Sequence, residues 1–164
     1  MTSSALRILV LCTGNSARSI MAEALLNAAG AGRVRAWSAG SHPSGRVNPL
    51  ALAQLRKAGL PAEGYRSKSW DEFATPEAPT LDIVITVCGN AAGETCPVWP
   101  GTPLRGHWGV DDPAKQGGSD EDKARAFSDA FDRLERKVRA FAALPLADLD
   151  RPALQAKLHE IGEL

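Results

Sequence analysis

The residues best suited to chemistry lie in the stretch VLCTGNSARSIMAEALL, residues 10–26, where Cys12 is followed six positions later by Arg18. A turn between a strand and a helix presents backbone N–H groups to one concave spot at the positive end of the helix dipole. The guanidinium of Arg18 adds a planar fork of donors suited to two oxygens of a tetrahedral oxyanion. The stretch predicts an oxyanion-binding loop made of Thr13, Gly14, Asn15, Ser16, Ala17, Arg18 and Ser19.

The same positive field stabilises a thiolate over a thiol and should lower the pKa of Cys12, which makes it a candidate nucleophile. A nucleotide-binding loop would need Lys before the Ser or Thr, and a thioredoxin-type site would need Cys-x-x-Cys. The loop has neither pattern. The alternative of a core cysteine beside a surface Arg18 is less favoured, because the pair directly follows an apolar run and Gly14 and Asn15 suit a tight turn.

Alternating strands and helices are predicted to position this loop. Two short apolar runs, at residues 6–11 and 81–87, are typical of buried strands, and residues 34–39 resemble a further strand. Four segments show helical spacing of apolar residues or helix-start signals, at residues 19–30, 48–58, 119–141 and 151–161. The third should begin with a capping box formed by Ser119 and Asp122, and the last should either pack back or join a partner. Residues 88–113, rich in Gly and Pro, are expected to be loop.

This order predicts a single α/β domain, a doubly wound parallel sheet with helices on both faces and an anion loop between the first strand and the first helix. Ligands of such sheets bind at the carboxyl ends of the strands. Cys12 and Cys88 both fall at predicted carboxyl ends, so we expect them to lie near one another.

Composition limits the partners. Nineteen basic and nineteen acidic residues among 164 give no net charge, so we expect neither a nucleic-acid nor a membrane partner. No apolar stretch approaches the roughly 18 residues of a membrane span, and the N-terminus lacks a signal-peptide cleavage site. Three cysteines are too few for a disulfide framework. We therefore expect a cytoplasmic protein.

The motifs VLCTGNSARS, MAEA, WSAG and HWGVDDPA resemble the low-molecular-weight protein tyrosine phosphatase fold, in the branch that serves as thiol-dependent arsenate reductases. The resemblance spans residues 6–141. It implies a phosphatase-like domain over residues 1–144, with the anion loop of that fold, and a C-terminal helical extension over residues 145–164. It also implies that Cys12 is the nucleophile, that Arg18 and the backbone of residues 13–19 hold the oxyanion, and that Asp112 is the general acid.

The electron count separates a reductase from a phosphatase. Hydrolysing a phosphate ester needs one thiol, whereas reducing arsenate to arsenite needs two electrons, which two thiols supply by forming a disulfide. Cys88 is the candidate second thiol. The segment CGNAAGETCPVWPG, which contains Cys96, resembles the resolving-cysteine segment of arsenate reductases. This resemblance favours a relay in which Cys12 attacks arsenate, Cys88 resolves it and Cys96 takes over the disulfide.

A Cys88–Cys96 disulfide would require movement if the span between its two cysteines were helical. Eight helical positions extend about 12 Å, and a disulfide needs Cα atoms within about 7 Å. We expect residues 89–97 to change conformation on oxidation.

We expect no tightly bound cofactor, but turnover needs an external thiol reductant, namely thioredoxin, glutaredoxin with glutathione, or mycothiol. Asn15, Glu23 and Ser38 match positions that in some arsenate reductases help to bind a stabilising monovalent cation such as potassium. In the alternative interpretation, Asn15 shapes the loop and Glu23 lies on an exposed helix face. Phosphate or sulfate should be able to occupy the arsenate site, because the loop binds tetrahedral oxyanions in general.

Three other functions are considered. A tyrosine phosphatase of this fold usually carries aromatic residues after its Asp-Pro pair, whereas Ala114 and Lys115 follow here. A non-enzymatic thiol sensor would bind its ligand without turnover. A structural zinc site would draw on Cys88, Cys96, His107 and Asp111, although its cysteine spacing is wider than usual. For His107 itself we favour a structural role.

Overall fold

The computed structural model describes residues 5–87 and 103–164, so Cys88 and Cys96 lie outside the described residues. In the described part, four strands form one parallel sheet: β1 (Leu6–Cys12), β2 (Val34–Gly40), β3 (Ile83–Thr86) and β4 (Leu104–His107). The strand order is β2-β1-β3-β4. All neighbouring pairs are parallel, so the carboxyl ends of the strands share one edge of the sheet.

The helices in the described part are α1 (Arg18–Gly30), α2 (Pro49–Lys57), α3 (Asp120–Ala142) and α4 (Arg151–Gly162). Three short 3-10 helices accompany them, Trp70–Phe73, Pro113–Lys115 and Leu146–Asp148. The predicted capping box is confirmed, because the Ser119 hydroxyl accepts from the Asp122 N–H and the Asp122 carboxylate accepts from the Ser119 N–H. The predicted parallel α/β fold is confirmed as well.

The prediction that residues 88–113 are all loop is wrong for residues 104–107, which form β4. The sequence LRGH has one large apolar residue, Leu104, so it lacks the apolar run that identifies a buried strand. Among the strands that the structure describes, β4 lies at the edge of the sheet and pairs with β3, from Ile83–Leu104 to Thr86–His107. Strand pairing and packing, rather than local composition, therefore determine this strand.

Two apolar clusters cover the two faces of the sheet. The larger joins alternate residues of β1, such as Ile8 and Val10, to the buried faces of the four helices. The smaller joins the intervening residues of β1, Leu9 and Leu11, to residues of the 3-10 helix Trp70–Phe73. Burial of β1 on both faces fixes its carboxyl end, where Cys12 lies, within the core.

The terminal helix α4 packs back against β4. Leu154, Leu158 and Ile161 of this helix are buried in the larger cluster. The side-chain amide of Gln155 accepts from the Arg105 N–H at 3.2 Å and donates to the Arg105 carbonyl at 2.7 Å, so it covers the edge of β4. The boundary at residue 144 stays a sequence prediction.

Two further contacts fix the end of α4. The indole N–H of Trp108 donates to the Leu158 carbonyl at 3.1 Å. The Lys137 ammonium of α3 donates to the carbonyls of Gly162 and Leu164, at 3.1 and 2.9 Å. Lys137 is 4% exposed, and burial lowers its pKa. A buried ammonium thus satisfies the carbonyl groups that the end of α4 leaves without helical partners.

None of the helices in residues 5–87 and 103–164 is long and apolar enough to cross a membrane.

Candidate active site

The predicted oxyanion loop lies between the last residue of β1, Cys12, and the first residue of α1, Arg18. Cys12 is 4% exposed and pairs in register with Gly40 of β2. Asn15 turns the loop with a φ of 46°, in the left-handed region that Asn tolerates better than most residues. The loop therefore closes tightly around the end of β1.

The carbonyl groups of the loop are held by the segment of residues 42–48. The N–H of His42 donates to the Thr13 carbonyl at 2.9 Å, and the N–H of Ser44 donates to the Gly14 carbonyl at 3.0 Å. The N–H of Asn48 donates to the Ser16 carbonyl at 2.8 Å. Because these carbonyls are bonded to the surrounding chain, they cannot oppose an anion at the centre of the loop.

The N–H groups of the loop are available to a ligand. Within residues 5–87 and 103–164, the backbone N–H groups of residues 14–17 donate to no protein acceptor. Ala17, the residue that caps α1, supplies no capping side chain. Unpaired donors at the start of a helix form a ready site for an anion. These donors support the predicted anion loop, and anion binding itself stays a prediction.

A buried polar network supports the loop from below. The Asn15 side chain is fully buried, and its amide donates to the hydroxyls of Ser19 and Ser38, both at 2.9 Å. Its oxygen accepts from the Lys68 N–H at 2.9 Å. The Ser38 hydroxyl in turn donates to the Glu23 carboxylate at 2.5 Å. The structure therefore brings together the three residues predicted near a cation, Asn15, Glu23 and Ser38.

Two charges of opposite sign belong to this network. Burial raises the pKa of Glu23, while the hydrogen bond from Ser38 and the charge of Lys68 partly offset that rise. Burial lowers the pKa of Lys68, while the charge of Glu23 opposes the fall. Burial raises the pKa of Tyr65, and the charge of Glu23 raises it further. The alternative of an exposed Glu23 is wrong, because its carboxylate faces Ser38 beneath the loop.

Arg18 and Asp112 meet at the mouth of the loop. The Arg18 Nη1 donates to the Val110 carbonyl at 2.9 Å, across 92 positions of sequence. The Arg18 Nη2 lies 3.6 Å from the Asp112 Oδ2, and the two side chains are 13% and 25% exposed. The other oxygen of Asp112 accepts from the Ala114 N–H at 2.9 Å. The residue expected to protonate a leaving oxygen therefore lies beside the residue expected to hold the oxyanion.

The chain reaches the same edge of the sheet just before Cys88. The N–H of Val87 donates to the Leu11 carbonyl at 2.9 Å, and the N–H of Val110 donates to the Val87 carbonyl at 3.0 Å. Cys88 and Cys96, and the conformational change expected over residues 89–97, lie outside the described residues. His107 contacts the Thr86 hydroxyl through its Nδ1 at 2.7 Å, which joins the ends of β3 and β4.

In the described ranges, His, Cys, Asp and Glu side chains form no group of three or more that could hold a metal ion.

Residues that the sequence did not point to also support the loop. The backbone of residues 42–48 holds its carbonyls, and the Ser67 hydroxyl donates to the Gly14 carbonyl at 3.0 Å. A Cβ on Gly40 would lie 2.5 Å from the Thr13 carbonyl oxygen. Gly40 ends the motif WSAG, which was the available sequence signal, whereas nothing in the sequence singled out Ser67 or Lys68.

Comparison with known proteins identifies the family. Residues 7–155 match the sequence model of the low molecular weight phosphotyrosine protein phosphatases, and the chain belongs to this family. Among curated relatives, the arsenate reductase of Halalkalibacterium halodurans is 38% identical over 135 residues, which cover 82% of this chain and 94% of the relative. The arsenate reductase of Bacillus subtilis is 36% identical with the same coverage.

Solved structures give the same grouping. An arsenate reductase in a phosphate-binding state has a TM-score of 0.69 and 27% identity, and the match covers 84% of this chain and 97% of that one. The tyrosine phosphatase Wzb of Escherichia coli, in complex with sulphate, has a TM-score of 0.64 and 25% identity, with 83% and 95% covered. These findings confirm the predicted resemblance and the predicted class of enzyme, an arsenate reductase of the low-molecular-weight phosphatase fold.

Proposed function

We propose that the protein reduces arsenate to arsenite with Cys12 as the nucleophile. The observation that carries the proposal is that the N–H groups of residues 14–17, which follow Cys12 at the carboxyl end of β1, donate to no acceptor in the described part of the chain. Such donors hold a tetrahedral oxyanion and also stabilise a thiolate. Arsenate has the charge and shape for this site, and the curated relatives named above are arsenate reductases.

In the first step, the Cys12 sulfur attacks arsenic and one arsenate oxygen leaves as water. Arg18 and the loop N–H groups hold the remaining oxygens. Asp112 protonates the departing oxygen, and its position 3.6 Å from Arg18 supports this role. The product is a covalent bond between sulfur and arsenic, with arsenic still in its +5 state.

In the second step, the Cys88 thiolate attacks the Cys12 sulfur and a disulfide forms. The electron pair of the sulfur–arsenic bond passes to arsenic, which leaves as arsenite in its +3 state. Two thiols have then lost the two electrons that arsenic gained. The hydrogen bond from Val87 to the Leu11 carbonyl supports this pairing, because it brings the chain to the edge of the loop one residue before Cys88.

In the third step, Cys96 attacks Cys88 and the disulfide moves to Cys88–Cys96, which releases Cys12 for another cycle. An external thiol system then reduces this disulfide, and thioredoxin, glutaredoxin with glutathione, and mycothiol are the candidates. The cytoplasm supplies such reductants. These steps use only side chains and an external thiol, so they need no tightly bound cofactor.

The relay can be tested by mapping disulfides. Reduced protein is mixed with arsenate, free thiols are alkylated, and cysteine pairs are identified by mass spectrometry without reduction, with phosphate as the control oxyanion. We expect a Cys88–Cys96 disulfide after treatment with arsenate and none after treatment with phosphate. Cys96→Ser should stop at Cys12–Cys88, and Cys88→Ser should leave no internal disulfide. If all three cysteines of the unmodified chain stay alkylatable after arsenate, the internal relay is wrong.

A further inference from the structure

The segment of residues 109–112 connects the end of β4 to the expected acid, Asp112, and it also holds Arg18. The Val110 carbonyl accepts from the Arg18 Nη1 at 2.9 Å, and the Asp112 Oδ2 lies 3.6 Å from the Arg18 Nη2. One short segment therefore contacts both terminal nitrogens of the guanidinium. Because the guanidinium binds an oxyanion through a rigid fork of donors, a shift of this segment would misalign that fork.

Backbone hydrogen bonds attach this segment to the end of β3 on either side of Gly109. The N–H of Trp108 donates to the Thr86 carbonyl at 2.7 Å. The N–H of Val110 donates to the Val87 carbonyl at 3.0 Å. Gly109 lies between these two attachments and has no side chain of its own to pack against the sheet. Its place therefore depends on the group that lies against its α-carbon.

That group is the imidazole ring of His107. A Cβ on Gly109 would lie 2.8 Å from the His107 Nε2 and 3.3 Å from its Cε1, so the ring occupies the space that a side chain would need. The other ring nitrogen, Nδ1, forms a 2.7 Å hydrogen bond with the hydroxyl of Thr86, the last residue of β3. Thr86 is 9% exposed, so the ring is attached to a nearly buried residue of the sheet. The imidazole thus spans from β3 to the segment that holds Arg18.

We propose that His107 is a positioning residue for Arg18. The ring, held by Thr86, keeps Gly109 in place, and the following residue, Val110, then presents its carbonyl to the guanidinium. His107 acts through Val110 and Arg18 rather than on the oxyanion itself. The inference rests on the proposed function, because it assigns a further residue to the oxyanion site which that function uses.

Sulfate affinity reports the placement of Arg18 without the relay, because sulfate binding uses neither Cys88 nor Cys96. It is measured on the reduced protein from the rise of melting temperature with sulfate concentration, since a ligand that binds the folded state stabilises it. His107→Phe keeps a ring but loses the hydrogen bond to Thr86. It should weaken sulfate binding about five- to tenfold, the effect of roughly one lost hydrogen bond. His159→Phe makes the same change at an exposed position of α4 and should bind sulfate as the unmodified protein does.

A double-mutant cycle with Arg18 separates positioning from a purely structural role. Arg18→Lys keeps the charge, but its single nitrogen cannot serve Val110 and the oxyanion separately, as the two terminal nitrogens of arginine can. If His107 acts through Arg18, His107→Phe should weaken sulfate binding much less in the Arg18→Lys protein than in the unmodified one. A residue that only stabilised the fold would give the same fold-change in both. Thr86→Val removes the partner of the ring and should match His107→Phe, with no further loss when the two are combined.

Gly109→Ala tests the same contact from the other side, because its methyl group would displace the ring. It should also weaken sulfate binding, so the inference can be tested even if His107→Phe does not fold. Normal sulfate affinity in either variant would overturn the inference, as would equal fold-changes with and without Arg18. A failure of the unmodified protein to bind sulfate would contradict the proposed oxyanion site itself, and this inference with it.

Discussion

Replacing Gly40 with alanine should distort the oxyanion loop from the outside. A Cβ at this position would lie 2.5 Å from the Thr13 carbonyl oxygen and 3.0 Å from both the Asn15 nitrogen and the Cys12 carbonyl oxygen. All three are backbone atoms, so no side chain can rotate away to make room. The loop itself, or the end of β2, would have to move.

The size of the effect follows from these distances. To reach an ordinary contact of about 3.4 Å, the Thr13 oxygen must retreat by about 0.9 Å, which also disturbs its hydrogen bond from the His42 N–H. Overpacking of this kind costs about 1–3 kcal/mol of unfolding free energy. Misplacing groups of a reacting site by about 1 Å can cost about a hundredfold in rate. We therefore expect Gly40→Ala to slow arsenate reduction about a hundredfold and to lower the unfolding free energy by about 1–3 kcal/mol.

The assay compares Gly40→Ala with Gly117→Ala. Gly117 has no atom within 4 Å of an added Cβ, so the same chemical change should leave that protein nearly unaffected. Sulfate affinity is measured by calorimetry, initial arsenate reduction by stopped-flow mixing, and unfolding free energy by urea titration. Unchanged sulfate binding by Gly40→Ala, with a stability loss below about 0.5 kcal/mol, would refute the argument.

Two other predictions concern the docking of α4. Leu158 is fully buried, so Leu158→Ala should lower the unfolding free energy by about 2–5 kcal/mol. Leu164→Ala, at an exposed position, should change it little, and equal effects in urea titration would contradict the packing of α4 on β4. Because burial lowers the pKa of Lys137, the unfolded chain retains its proton up to higher pH, and the stability contribution of this residue should rise as pH approaches 10.5. The difference in unfolding free energy between Lys137→Met and the unmodified protein should vary with pH accordingly; a constant difference from pH 8 to 10.5 would contradict this.

Much of the fold could be predicted because its signals are local. The apolar run of β1, the capping box at Ser119 and the Asn48-Pro49 start of α2 depend on residues within a few positions of one another. The oxyanion loop is local in the same sense, since Cys12 and Arg18 lie on one turn between a strand and a helix. The order of residues therefore predicts both the anion site and its nucleophile.

The rest depends on contacts between distant segments. β4 is a strand because β3 pairs with it and α4 covers it, and its own composition gave no such signal. Arg18 meets Val110 across 92 positions and Asn15 meets Lys68 across 53, through the order of the strands in the sheet. Charge and hydrogen-bonding types were visible in the sequence. The parallel sheet decides which acid lies beside Arg18 and which backbone N–H bonds to the Asn15 side chain, because its carboxyl ends bring these segments to one edge.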